Sequence, residues 1–211
     1  MKVLLGKKLG MTTIFDDAGR SLGVTAVEVW PATVLRLRTA QKDGYEAMQL
    51  GAGTAKAPRG SKTPRKTAVG NGGGTAYAVI KEFPLVTVGE GDDGPAIAPG
   101  ATLGIDQLEA GERLTVTAAS KGKGFQGTVK RHNFSRGPKS HGSRNYRAPG
   151  SIGGTGAARV FPGQKMPGRM GATPVTTLGL KVAAVRTDEN VVLLTGSVPG
   201  PVGSLVTMRS R

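Results

Sequence analysis

The chain has no cysteine among its 211 residues, which removes disulfides, thiolate metal sites and cysteine nucleophiles together. Histidine occurs twice, at His132 and His141. Long apolar runs are also missing. Stretches such as Val191 to Leu194 fall far short of the roughly 20 residues that a membrane-spanning helix needs. The opening MKVLLGKKLGMTTIF places Gly, Lys and Lys where a signal peptide would carry its apolar stretch toward a small-residue cleavage site. It reads as a first strand. The most informative deficit is local: between Glu112 and Asp188 lie 75 residues without a single Asp or Glu.

That acid-free third of the chain carries 14 Lys or Arg out of 29, and the formal net charge of the whole is +15. The remainder is close to neutral. Charge that serves solubility is spread with both signs mixed, so such segregation marks one contact region for a polyanion, and nucleic acid fits better than a membrane surface or an acidic protein.

Short runs with apolar alternation and β-branched residues recur at Lys2–Leu5, Val24–Trp30, Thr33–Leu37, Tyr45–Leu50, Ala76–Ile80, Leu114–Thr117, Leu178–Val185, Val191–Thr195 and Ser204–Met208. They predict strands. Turn-rich links (DDAG at 16–19, KDG at 42–44, DEN at 188–190) join them, so the expected fold is mainly β, a closed or nearly closed antiparallel barrel. Helices should be few and short, one of them beginning near Pro84. Over residues 1–211 the chain reads as a single barrel-based body with two excursions. Residues 53–75 form a basic loop rich in Gly and Pro, in which Arg59, Lys62, Arg65 and Lys66 are candidate RNA contacts. Residues 120–172 form a longer one with 12 Gly and few branched aliphatics. It cannot bury enough apolar surface to offset its ordering entropy, and is expected to order on RNA.

Several motifs invite a catalytic reading. GKGFQG (122–127) fits G-x-G-x-x-G, but no apolar-periodic helix follows it and the next acid is Asp188, so a dinucleotide site lacks its context. Its glycines suit close backbone approach to phosphates, with Lys121 and Lys123 supplying charge. His132 and His141 have no carboxylate in their segment to complete a metal shell or orient a base, which favours RNA contact. Ser140 beside His141 lacks the third, orienting group of a triad. No metal, no cofactor and no enzymatic activity are expected. Arg131, Arg136, Arg144, Arg147, Arg159 and Arg169 alternate with Phe125, Phe134, Tyr146 and Phe161, a pattern suited to phosphate forks and base stacking. The alternative for these aromatics is packing into the body. Met166 and Met170 read as gap-fillers, and Trp30 as a core residue.

The blocks LLGKKLGMTTIF, SKGKGFQGTVKRHNFSRGPKSHGS, RAPGSIGG, RVFPGQKMPGRMG and TGSVPGPVGSLVTMR, in that order over nearly the whole chain, resemble the bacterial form of the large-subunit ribosomal protein L3 family. The stretch Gly60 to Gly100 departs from the pattern. The resemblance implies a six-stranded barrel of the translation-protein type, a small inserted subdomain, and a long loop directed at the peptidyl transferase centre. It further implies binding to large-subunit (23S-type) rRNA, chiefly its 3′ domain, a part in early subunit assembly in the cytoplasm, and neighbouring proteins L14 and L19. Carried over by position, Lys121, Lys123, Lys130, Arg131 and His132 lie at the loop's base, Arg144, Arg147 and the Pro149–Gly153 turn toward its tip, and Arg159, Lys165 and Arg169 on the returning limb. Arg136, Lys139 and His141, with Lys7 and Lys8 of the first strand, complete the expected RNA-contacting set. Many bacterial members carry a methylated glutamine directly after PGSIG; here Gly154 stands there, so that modification is expected to be absent. The competing readings are an RNA chaperone or assembly factor that binds transiently and leaves and, more remotely, a nucleotide-dependent enzyme.

Overall fold

In the computed structural model, residues 2–16, 18–54, 67–69, 72–84, 98–156 and 158–210 are described. The chain divides into two compact units, Met1–Ala118 with Val175–Arg211, and Ala119–Pro174. In chain order the elements are β1 (Val3–Phe15), β2 (Ser21–Trp30), β3 (Ala32–Arg38), α1 (Ala40–Asp43), β4 (Ala47–Thr54), β5 (Thr67–Val69), β6 (Gly72–Thr75), β7 (Tyr77–Pro84) and β8 (Thr102–Leu103). A 3-10 turn at Ile105–Gln107 leads to β9 (Arg113–Ala119). Then come β10 (Phe125–Gln126), α2 (Thr128–His132), β11 (Gly168–Arg169), β12 (Pro174–Arg186), β13 (Val191–Thr195) and β14 (Leu205–Ser210).

In the first unit, six strands run in the order β1–β14–β9–β12–β13–β2, and β2 pairs back onto β1 to close a barrel. Leu4, Val27, Val29, Leu114, Val116, Val192, Leu194, Val206 and Met208 belong to one buried cluster, joined by Ile105 and Leu108 around the 3-10 turn. A second sheet, β7–β4–β3–β8, buries Ala32, Val34, Met48, Leu50, Ala52 and Phe83 against Val3 and Leu5 of β1. Successive side chains of a strand point to opposite faces, so Leu4 serves one core and its neighbours the other. This two-sided burial explains the unbroken Val-Leu-Leu run, where a strand with one wet face would alternate. Pro31 sits between β2 and β3, at the point where the chain passes from the barrel to the second sheet. Trp30 beside it is half-buried against the second cluster, and its indole N–H donates to Glu28 at 3.3 Å. Between β1 and β2 there is no room for a side chain at Gly6, where a Cβ would lie 2.5 Å from the Glu28 carbonyl oxygen.

Each of the nine apolar runs lies wholly or mostly within a strand. The Asp16–Gly19 turn is closed by the Asp16 carboxylate, which accepts from the backbone N–H groups of Ala18 and Arg20, with Gly19 at φ +74. The Lys42–Gly44 turn proves to be the end of α1, capped by left-handed Gly44. Within the first basic excursion, β5 and β6 pair as a two-stranded ribbon where a loop was expected. Residues 55–66, including Arg59, Lys62, Arg65 and Lys66, lie outside the described residues, as does the chain that follows Pro84, where a helix was expected.

The second sheet carries a charge network that titrates. Arg38 donates to Asp43 at 2.5 Å and to Glu82 at 3.2–3.3 Å, and Glu82 also accepts from the Tyr45 hydroxyl at 2.9 Å. The hydrogen bond from Arg38 holds the Asp43 carboxyl below its ordinary value of 3.8. Those from Tyr45 and then Arg38 hold Glu82 below 4.5. Both carboxylates are easier to ionise in the folded chain, so their contribution is complete above the ordinary values, declines beneath them, and is gone once pH has passed through the lowered ones. A double variant Asp43→Asn, Glu82→Gln should therefore be less stable than the natural chain at pH 7 and converge on it in acid. Urea midpoints measured from pH 7 to pH 2 check this; a gap that persists in acid would contradict it.

Candidate nucleic-acid interface

The second unit holds eleven Lys or Arg and no acid, and little of it is regular. Its frame is a narrow neck. The Ser120 N–H donates to the Thr173 carbonyl at 2.9 Å, and the Ser120 hydroxyl bonds to the same oxygen at 3.1 Å. Farther on, the Lys123 N–H donates to Met170 O and the Met170 N–H to Gly124 O, both at 2.9 Å. The two-residue ladder β10–β11 pairs Phe125 with Arg169 and Gln126 with Gly168. Extended Gly127 leads into α2, which left-handed Asn133 (φ 59) ends by donating its N–H to Thr128 O.

Two side chains of α2 tie the limbs together. Arg131 donates through Nη1 to the Met166 carbonyl at 2.7 Å, and His132 Nε2 lies 3.1 Å from the same oxygen. The GKGFQG glycine motif therefore lies in a hairpin neck followed by a helix of five residues. It does not form the strand, turn and long helix that hold a dinucleotide. Toward the far end, the Gly137 N–H donates to Tyr146 O at 3.1 Å. The Arg136 guanidinium donates to the Tyr146 hydroxyl at 3.1 Å and stands 5.8 Å from that ring's centre, within cation–π range. The Ser151 hydroxyl donates to Gly153 O at 2.8 Å within the PGSIG turn.

Eleven of the unit's twelve glycines divide into two kinds. At Gly137, Gly168 and Gly171 an added Cβ would collide with Asn145 O, the Arg131 guanidinium and Lys121 O respectively, so these glycines let the unit pack on itself. At Gly124, Gly127, Gly142, Gly150, Gly153, Gly154, Gly156 and Gly163 nothing among the described residues lies within 4 Å of a Cβ. There, bare backbone faces outward and close approach is left to something else. Gly171 is also left-handed (φ +73). Gly171→Ala would thus add about 1–2 kcal/mol of backbone strain to a collision with backbone that cannot swing aside. RNA affinity should fall at least about tenfold, measured by filter binding, with the barrel's melting temperature unchanged.

Every ion pair among the described residues belongs to the first unit. In the second, Lys121, Lys123, Lys130, Arg136, Lys139, Arg144, Arg147, Arg159, Lys165 and Arg169 are exposed, and Arg131 is half-exposed. Exposed with them are Phe125 (77 %) and Phe161 (58 %), whereas Phe134 and Tyr146 are half-buried. His141 is exposed, and His132 is held in the frame, its ring 6.1 Å from that of Phe134. Among the described residues no three His, Asp or Glu gather as metal ligands. Met166 braces the unit through its backbone carbonyl, which meets both Arg131 and His132; no side-chain pattern reports a carbonyl.

One expected contact is corrected. Lys8 is only 8 % exposed, and its ammonium points inward, donating to Val198 O at 2.6 Å and Gly200 O at 3.1 Å. Burying the charge is offset by these carbonyls, and the side chain fastens the loop before β14 to the barrel. Lys7 is half-buried on the same strand.

Comparison with known proteins adds an independent line. Residues 101–191 match the family model of ribosomal protein L3. The chain is 43 % identical over 209 residues to the large ribosomal subunit protein uL3 of Heliobacterium modesticaldum (strain ATCC 51547 / Ice1), an alignment covering 99 % of this chain and 96 % of that protein. The uL3 proteins of Streptococcus agalactiae serotypes Ia and V align with the same identity and coverage.

Proposed function

Because the chain belongs to the ribosomal protein L3 family, as its full-length similarity shows, we propose that its second unit is the element that enters folded ribosomal RNA. The chain is a structural constituent of the large ribosomal subunit in the cytoplasmic ribosome, binds rRNA and is not an enzyme. The observation that carries the proposal is the pairing of eleven cations that have no carboxylate in their unit with a row of outward-open glycines. Phosphate contacts position a protein on RNA, and exposed aromatic faces accept unpaired bases. Lys121, Lys123, Lys130, Arg136, Lys139, His141, Arg144, Arg147, Arg159, Lys165 and Arg169 are the groups we assign to that contact. Arg131 and His132 brace the limbs and reach RNA only with the part left exposed. Lys7 is retained at the margin, and Lys8 is not part of the interface.

We assign the six-stranded order to the translation-protein type of barrel, with the β7–β4–β3–β8 sheet as its inserted subdomain; the closed hydrogen-bonding order supports this. The RNA bound is taken to be chiefly the 3′ domain of the large-subunit rRNA. The Pro149–Gly153 turn is directed at the surroundings of the peptidyl transferase centre, L14 and L19 are neighbours, and binding occurs early in assembly. No cofactor is required, and Gly154 leaves no amide to methylate. Sedimentation separates this reading from a transient assembly factor: the chain should remain one-to-one with mature large subunits through a high-salt wash. Loss in the wash, or presence only on immature particles, would favour the factor.

A further inference from the structure

The edge of β1 carries a second, different surface. β14 pairs with β1 only from Val3 to Lys7, and the last backbone bonds on that side are Lys8 N–H to Ser204 O and Gly203 N–H to Lys8 O. β1 then continues to Phe15 with β2 as its sole strand partner among the described residues. A register shift between Lys8 and Gly10 passes the outward parity to odd-numbered residues. The turn bond from Asp16 N–H to Arg20 O places the even residues on the β2 side. In an antiparallel pair, alternate residues turn their N–H and C=O away from the partner, so Met11, Thr13 and Phe15 present theirs to the open edge. Their side chains share one face and are exposed, Met11 to 56 % and Phe15 to 74 %.

We infer that residues 11–15 of β1 form a docking edge for an extended segment of another protein, which adds as a further strand and covers Met11 and Phe15. The chemistry selects polypeptide over RNA. Residues 9–15, LGMTTIF, contain no Lys or Arg in a chain of net charge +15, so nothing on this edge attracts phosphate, and in the turn beyond it Asp16 is already paired with Arg20 at 2.8 Å. A row of alternating donors and acceptors flanked by apolar side chains is what a strand reads. An edge of this kind left bare is an aggregation hazard that proteins ordinarily blunt with charge or proline, and neither stands here. The exposed Met11 and Phe15 favour a partner strand with apolar side chains at alternate positions on the same face.

The inference rests on the ribosomal reading only for where the partner is found. The test uses the full chain carrying Phe15→p-benzoylphenylalanine, incorporated into large subunits that are salt-washed and irradiated. The expected result is a cross-link to another ribosomal protein. In parallel, hydrogen exchange at the amides of Met11, Thr13 and Phe15 should be at least about tenfold slower in the particle than in the free chain. Thr13→Pro removes an outward N–H while leaving the β2 ladder its bonds, and should lower the cross-link yield at an unchanged melting temperature. Should it unfold the hairpin, the cross-link and exchange results decide alone. A cross-link to rRNA, a cross-link to a second copy of this chain, or exchange at the free-chain rate would each overturn the docking edge. Absence of the natural chain from washed subunits would instead overturn the ribosomal reading.

Discussion

Replacing residues 121–172 with a short glycine linker should leave a folded barrel that binds large-subunit rRNA weakly and with little dependence on salt. Ser120 and Thr173, which the linker would join, are already hydrogen-bonded to one another. The excised stretch removes eleven cations and no acid, so the net charge falls from +15 to +4. Each phosphate neutralised releases roughly 0.7–0.9 of a counterion, and a protein making about 6–10 such contacts loses some 10³–10⁵-fold in affinity between 50 and 200 mM salt. The full chain should behave in this way, and the shortened one should lose no more than about tenfold over the same range. Filter binding across a salt series measures both. Equal slopes would mean that the barrel, not the second unit, holds the RNA.

Lys8→Met should destabilise the first unit by about 2–4 kcal/mol, because a buried charge-assisted hydrogen bond contributes about 1.5–3 kcal/mol and an acceptor left dry is costly in its own right. The methionine would fill much of the lysine stem's space and leave the carbonyls of Val198 and Gly200 without the ammonium that now meets them at 2.6 and 3.1 Å. Lys7→Met, one residue away but half-buried, should cost under about 1 kcal/mol, as surface changes generally do. Urea unfolding of the two variants gives the comparison. Similar losses would remove the tethering role assigned to Lys8.

The same lysine shows where sequence reading ends. Two adjacent cations in a basic chain look alike, and what separates them is a register shift after Lys8 together with acceptors some 190 residues away. Neither has a local signature. The strands were legible because apolar alternation is local and periodic. That β3, β4 and β7 form a sheet of their own was not, since their pattern matches that of the barrel strands and only Pro31 marks the passage. In the second unit, composition revealed the concentration of positive charge, because counting acids needs no geometry. Its internal frame was hidden. Arg131 and His132 reach a carbonyl 34–35 residues onward, and Gly137, Gly168 and Gly171 looked no different from the glycines that face outward. A glycine's purpose depends on what stands opposite it, which only the folded chain specifies.

Residues 119–174 should be where this protein meets ribosomal RNA. Ultraviolet cross-linking of salt-washed large subunits, followed by mass spectrometry of the RNA-bound peptides, locates the contact. Cross-linked peptides should concentrate in that stretch, around Lys121–Phe125, Arg144–Arg147 and Arg159–Arg169, with Leu9–Phe15 free of RNA. Cross-links gathered on the barrel strands, with residues 119–174 clean, would contradict it.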